Sequence, residues 1–295
     1  MDFSPEYLDP PTLAKIQALE LKARRTIEGL VSGPHRSPLQ GVSVEFAEHR
    51  EYVPGEDVRH LDWKLFGKTD RLFVKRYEQE TNLVCNLVLD ASQSMAYASK
   101  GISKLKYASQ IAACLAYLVV HRQDSVGAAF FETEVTQFIP AASTPAQLTQ
   151  LLHLLAQVEP LPQRGKVGAA LDELAERYRK RSLVIVASDC FDDVDSIMTG
   201  LKHLRHRRHE AALFHVLDPA ELDFPFRDVT MFKGLEGIPP QLADPKGLRA
   251  AYQEAFGAYR QRLEVECRTA GVDYVLARTD RPLDQFLFEY LAARQ

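Results

Sequence analysis

From residue 82 onward the chain alternates short, mostly apolar runs with longer stretches whose apolar residues recur at helical spacing. That alternation restricts it to βαβ units laid on a parallel sheet. The runs LVCNLVLD (83–90), SVGAAFF (125–131), LVIVASD (183–189), AALFHVLD (211–218) and VDYVLARTD (272–280) read as strands. Continuous apolar runs are what strands buried on both faces require. VTQFI (135–139) can return on SVGAAFF as a hairpin, and VTMFKGL (229–235) is expected as an edge strand. Between them, Leu105, Ala108, Ile111, Ala112, Leu115, Leu118 and Val119 share one helical face. Further helices are expected near 145–158, 167–180 and 194–207, along the row Leu248, Tyr252, Phe256, Tyr259, Leu263, and from Pro282 to Leu291. The predicted fold class is α/β, a doubly wound and mostly parallel sheet spanning residues 81–295.

Residues 1–80 read differently. Leu13, Ile16, Leu19, Leu21, Ile27 and Leu30, set among Lys15, Lys22, Arg24 and Arg25, predict an amphipathic N-terminal helix. From Ser37 to Glu80 short apolar pieces (Val42, Val44, Phe46; Leu72, Phe73, Val74) are cut by Pro54-Gly55 and Gly67, which suits hairpins or irregular structure. Glu45, Glu48, Arg50, Glu56, Asp57, Arg59 and Asp62 crowd around Phe46, Tyr52 and Trp63. Ion pairs fixing an irregular segment packed on the sheet domain are one reading of that crowding. A docking surface built on Tyr52, Arg59, Asp62 and Trp63 is the other.

Charge narrows the function. Thirty-six Lys and Arg against 40 Asp and Glu leave a net charge of -4, so no global basic field is available for nucleic acid or an anionic membrane. Cys85, Cys114, Cys190 and Cys267 are far apart and form no CxxC pair, which signals neither zinc nor a disulfide framework. The opening MDFSPEYLDPP has no charged segment followed by an apolar run. The apolar stretch Ile111 to Val120 falls short of the roughly 20 residues a membrane span needs. A cytoplasmic protein without membrane insertion is expected.

In open α/β sheets, ligands sit outside the carboxyl ends of the strands. Two strands end alike here, one at Asp90 in Asp90-Ala91-Ser92-Gln93-Ser94 and one at Asp189 in Ser188-Asp189-Cys190. A carboxylate, two hydroxyls and a second carboxylate form an oxygen-rich nest that suits Mg²⁺. The alternative is that Asp90 and Ser92 cap the following helix.

These residues carry a family resemblance. Asp90-x-Ser92-x-Ser94 with Asp189 resembles the metal-ion-dependent adhesion site of von Willebrand factor A domains. The segment GVSVEFAEHREYVPGEDVRHLDW (41–63) resembles the signature of the bacterial family called domain of unknown function 58. The resemblance implies a von Willebrand A-like fold, protein–protein interaction and, as partner, a MoxR-type AAA+ ATPase. It also implies a Thr in the loop before the helix leading to Asp189, where this chain reads Pro162-Gln163-Arg164-Gly165-Lys166-Val167-Gly168. The adhesion site is therefore degenerate. A Lys166 ammonium reaching Asp90 and Asp189 would neutralise them in place of a metal.

Enzyme signals fail. Gly67-Lys68-Thr69 lacks the Gly that a P-loop needs five residues earlier, where Asp62 stands. No GxSxG elbow is present. A metal-dependent hydrolase using Asp90 and Asp189 would need a general base, and the nearby loops offer none. His203, His206 and His209, among Lys202, Arg205, Arg207 and Arg208, read as a basic helix end; a nucleic-acid binder through 202–209 is the alternative. The expected function is a non-enzymatic adaptor.

Overall fold

The computed structural model describes residues 45–51, 65, 67, 72–78, 83–232, 234 and 239–294. The expected N-terminal helix, and Tyr52, Arg59, Asp62 and Trp63, lie outside the described residues. The chain divides into two compact units, Pro38–Leu83 and the rest. In the smaller, β1 (Glu45–Glu51) and β2 (Phe73–Glu78) form an antiparallel ladder from Glu45 opposite Glu78 to Glu51 opposite Phe73. A bulge between Phe46 and Glu48 shifts its register.

The larger unit runs β3 (Val84–Asp90), a 3-10 turn (Gln93–Ala96), α1 (Lys104–His121), β4 (Ser125–Phe131), β5 (Val135–Ala142), α2 (Pro145–Gln157) and α3 (Val167–Arg177). It continues with β6 (Leu183–Ser188), α4 (Val194–His206), β7 (Glu210–Leu217), α5 (Pro219–Asp223), β8 (Thr230–Phe232) and β9 (Gln241–Ala243). α6 (Pro245–Thr269), β10 (Asp273–Arg278) and α7 (Leu283–Ala293) close it. Six strands form one sheet in the order β10-β7-β6-β3-β4-β5, parallel except for β5, which returns antiparallel on β4. The predicted doubly wound α/β class is the observed one.

The central strands are apolar on both faces because helices cover both. β6 is buried at every position, and β3, β4 and β7 at all but their first residue. The edge strands β5 and β10 are partly exposed. α1 packs with α2 and α7; α3 packs on α4, and α4 on α6. Fifteen of the 18 residues of α1 are buried, so it is a central helix. α3 and α4 approach so closely that a Cβ at Gly168 would lie 2.2 Å from Ser196 Oγ, and one at Gly200 2.6 Å from the Gly168 carbonyl oxygen. Only glycine fits at either place.

One expected strand is placed differently. Residues 230–232 do not extend the main sheet; they pair with β9 in a separate two-stranded hairpin, Met231 opposite Leu242. The three-residue strand finds its partner locally, and β10 forms the edge.

The strand order fixes where a site can lie. From β3 the chain winds outward through β4 and β5, then crosses over to β6 and winds the other way. The loops leaving β3 and β6 therefore diverge and open a crevice at the switch point of the sheet.

Candidate functional site at the sheet switch point

β3 and β6 are neighbours with Leu89 opposite Ala187, so Asp90 and Ser188 end them side by side. The Ser188 hydroxyl donates to Asp90 Oδ2 at 2.5 Å, and the Ser92 N–H donates to Oδ1 at 2.9 Å. The Ser92 and Ser94 hydroxyls are 3.1 Å apart, and the Ser94 hydroxyl supports the Asp189 carboxylate. Asp90, Ser92 and Asp189 are all buried. The structure thus brings together the four residues Asp90, Ser92, Ser94 and Asp189. Ser92 N-caps only the short 3-10 turn and makes no side-chain cap bond; the cap of α1 is Ser103, which accepts the Lys106 N–H.

The cation of the site comes from an unexpected residue. Lys104, at the first position of α1, is buried and donates to Asp189 Oδ2 at 2.8 Å and to Glu221 Oε1 at 2.6 Å. Glu221 belongs to the capping box of α5: its Oε2 accepts the Asp218 N–H at 2.8 Å while Asp218 Oδ1 accepts the Ala220 N–H. Asp218 Oδ2 accepts the Ser99 N–H at 2.8 Å. These bonds tie the loops after β3, β6 and β7 together. Lys166 does not take part. It is exposed at the N-terminus of α3, where its backbone N–H donates to the Glu132 carbonyl.

The adjoining loop is held by backbone. Ser92 and Leu161 form a parallel bridge, the Leu161 N–H donates to the Ala91 carbonyl at 3.0 Å, and the Gln93 N–H donates to the Gln163 carbonyl. Gly165 is buried against the site. A Cβ there would lie 3.1 Å from Ser92 Oγ and 3.3 Å from Asp90 Oδ2. The loop that would carry a Thr oxygen thus meets the nest with a bare glycine.

Electrostatics separates the two aspartates. Burial, and then the neighbouring Asp189 charge, push the Asp90 carboxyl up to about 7 against the pull of the Ser188 and Ser92 hydrogen bonds. Burial also acts upward on Asp189, but the Lys104 ammonium, the Ser94 hydroxyl and the Phe191 N–H outweigh it and hold that carboxyl below its usual range. Burial alone would push Lys104 toward neutrality; Asp189 and Glu221 reverse the sign and raise it. His215, buried on β7, bonds the Asp189 carbonyl at 2.9 Å and the Tyr274 hydroxyl at 2.8 Å. Burial pushes it down to about 4, so it is a neutral brace at ordinary pH.

At the rim two large apolar side chains stand exposed among polar ones such as Arg164 and Asp193. Phe191 is 58% exposed and Leu161 45%. Phe191 follows Cys190, whose φ of 56° is left-handed. That turn is held by the Ser188 hydroxyl, which accepts the Cys190 N–H at 2.9 Å, and by the Tyr259 hydroxyl, which donates to the Cys190 and Asp192 carbonyls.

The residues present do not match a divalent-cation site. Both oxygens of Asp90 and both of Asp189 accept hydrogen bonds from the protein, and Asp189 already holds an ammonium. Among the described residues, no group of three or more His, Cys, Asp and Glu is arranged to hold a metal ion. Oε1 of Glu132, after β4, is buried without a hydrogen-bond partner among the described residues, and burial raises its carboxyl.

The run 202–209 is partly paired. His203 bonds Asp172 at 2.5 Å and Glu176 at 3.1 Å, Arg207 pairs with Glu176, and His209 is buried with its Nδ1 2.9 Å from Ser182 Oγ. Two acids of α3 thus lie against that basic helix end.

Strand order and strand-end residues together define an open, doubly wound α/β domain with a buried polar cluster at its switch point. The chain belongs to the family described as "Protein of unknown function DUF58", whose profile matches residues 48–262. It is 26% identical over 290 residues to the Mycobacterium tuberculosis protein Rv1480, covering 97% of this chain and 91% of that protein. It is also similar to the crystal structure of BatB from Bacteroides thetaiotaomicron, with 14% identity and a TM-score of 0.49, over 72% of this chain and 98% of BatB. Likewise, the SpRpn10 VWA domain is similar at 10% identity and a TM-score of 0.42, over 70% of this chain and 94% of that domain. No helix of the described residues is long and apolar enough to cross a membrane.

Proposed function

We propose that the chain is a non-enzymatic adaptor of von Willebrand A type that presents the top of its sheet to a protein partner, a MoxR-type AAA+ ATPase. The observation that carries the reading is the rim: two large apolar side chains, Phe191 and Leu161, stand exposed on the two loops framing a closed polar cluster. An aromatic side chain held rigidly at a surface is suited to anchor a partner. The left-handed Cys190 and the Tyr259 hydrogen bonds supply that rigidity. The ATPase as partner rests on the family resemblance of segment 41–63 and is the finer part of the proposal. The four cysteines, all buried thiols, support a cytoplasmic setting.

A hydrolase on Asp90 and Asp189 is less well supported, because both carboxylates are closed to solvent and each of their oxygens is hydrogen bonded within the protein. A nucleic-acid binder through 202–209 is less well supported because Asp172 and Glu176 neutralise part of that run. The test is binding of a purified MoxR-type ATPase to the immobilised chain, comparing parent with Phe191→Asp at unchanged circular dichroism. Binding lost at least tenfold in the variant is expected. Equal binding by both proteins would exclude this surface, and no binding by the parent would exclude this partner.

A further inference from the structure

Each carboxylate oxygen of Asp90 and Asp189 already accepts a hydrogen bond from the chain. Asp90 Oδ1 takes the Ser92 N–H and Oδ2 the Ser188 hydroxyl; Asp189 Oδ1 takes the Phe191 N–H at 3.2 Å and Oδ2 the Lys104 ammonium at 2.8 Å. A magnesium ion needs a near-octahedral oxygen shell at about 2.0–2.1 Å and parts reluctantly with its waters. In this cluster Ser92 and Lys104 are buried, a Cβ at Gly165 would already lie 3.1 Å from Ser92 Oγ, and an ammonium occupies one side of Asp189, so a hydrated magnesium ion would have to displace contacts that the chain already makes.

The position of Lys104 is costly unless it serves this purpose. A cation in the first turn of a helix opposes the helix dipole, and a buried ammonium without a counter-charge loses several kcal/mol of hydration. Here two carboxylates from distant parts of the chain, Asp189 and Glu221, converge on it. A divalent ion in an adhesion site likewise draws strand-end acids and hydroxyls of separate loops to one centre.

The geometry points to Lys104 as the resident cation of the sheet top: its ammonium joins Asp189 at the end of β6 to Glu221 after β7, it supplies the positive charge that a divalent ion would otherwise bring to Asp189, and the site assembles without metal. The charge is thus supplied by the chain itself, and cations in the medium do not set the state of the sheet top.

The test uses the full chain and no partner, so its outcome is independent of the adaptor reading. Parent, Lys104→Met, Asp189→Asn and the double variant Lys104→Met/Asp189→Asn are unfolded thermally in EDTA and in millimolar Mn²⁺. The parent is expected to have the same midpoint in both media. Lys104→Met is expected to unfold at a lower temperature than the double variant, because the single change strands a buried carboxylate that the double change removes. If Lys104→Met does not fold at all, a folded double variant gives the same answer. A Mn²⁺-dependent rise in the parent midpoint that Asp90→Asn abolishes would overturn the assignment. So would a double variant no more stable than Lys104→Met.

Discussion

The ends of β3 and β6 are chemically alike and electrostatically opposite. Each strand ends in a buried aspartate, the two strands are hydrogen-bonded neighbours, and each carboxylate accepts a local backbone N–H. Yet Asp90 is pushed up to about 7 while Asp189 is held down. Burial acts in the same direction on both, so burial cannot account for the difference. The neighbour does. At 2.8 Å an ammonium and a carboxylate attract by roughly 6 kcal/mol at an effective dielectric of about 20, comparable with the several kcal/mol of hydration each ion loses. One Lys, assigned to one of two aspartates, decides which is the ion and which can hold a proton.

Removing that Lys should have the largest effect. Lys104→Met is expected to lose about 3–5 kcal/mol of stability, the usual consequence of breaking a buried pair on one side, read from chemical denaturation near pH 7. A loss under about 1 kcal/mol would mean that Asp189 can be satisfied without it.

The second test is pH. The folded value of Asp90 lies above its unfolded one, so its contribution is complete below about pH 4 and is lost as pH rises through about 7. Glu132 and Glu221, also raised by burial, act in the same sense. His215, lowered to about 4, acts in the opposite sense: its contribution is present above its unfolded value of about 6.5 and is lost as pH falls toward 4. Asp189 stays ionised throughout that window. Asp90→Asn should therefore gain on the parent as pH rises from 4 to 8, by about 3–4 kcal/mol at the upper end. Parallel stability curves for the two proteins would show that Asp90 is ionised in the folded state.

Two smaller effects sharpen the contrast. Gly165→Ala places a methyl 3.1 Å from Ser92 Oγ and 3.3 Å from Asp90 Oδ2, so it should cost about 1 kcal/mol, felt at the β3 end. Phe191→Ala at the β6 end should leave stability within about 0.5 kcal/mol, since the ring is mostly in solvent. A larger loss there would mark Phe191 as a packing residue and weaken its role as an anchor.

Much of this was legible beforehand. The apolar runs announced β3, β4, β6 and β7, because strands covered on both faces have no polar side to confuse the period, and Val275, Leu276 and Ala277 announced the edge strand β10. Asp90, Ser92, Ser94 and Asp189 were readable as strand-end residues. Lys104 was not, since its role depends on Glu221, 117 residues away, and on a topology that brings β7 beside β6. A signal did exist: a Lys directly after the Ser103 cap opposes the helix dipole and invites the question of what it faces. Lys166 satisfied the proximity argument along the sequence but stands at the start of α3, exposed, with Gly165 turned to the cluster instead. Residues 229–235 misled because an isolated three-residue strand carries no mark of which sheet it will join. Exposed Phe191 likewise gives no sign of itself, since an apolar residue after an apolar strand is read as core.

The four buried thiols have a practical consequence. Burial raises Cys85 and Cys267 to about 12 and Cys190 well above its ordinary value, leaving almost no thiolate to attack a disulfide or maleimide reagent at neutral pH. The three stand at separate stations, on β3, beside Phe191, and near the end of α6. Each becomes reactive only when its own surroundings open. Labelling rates resolved by cysteine would therefore time the local opening of strand, rim and outer helix separately, with the native chain itself as the silent reference.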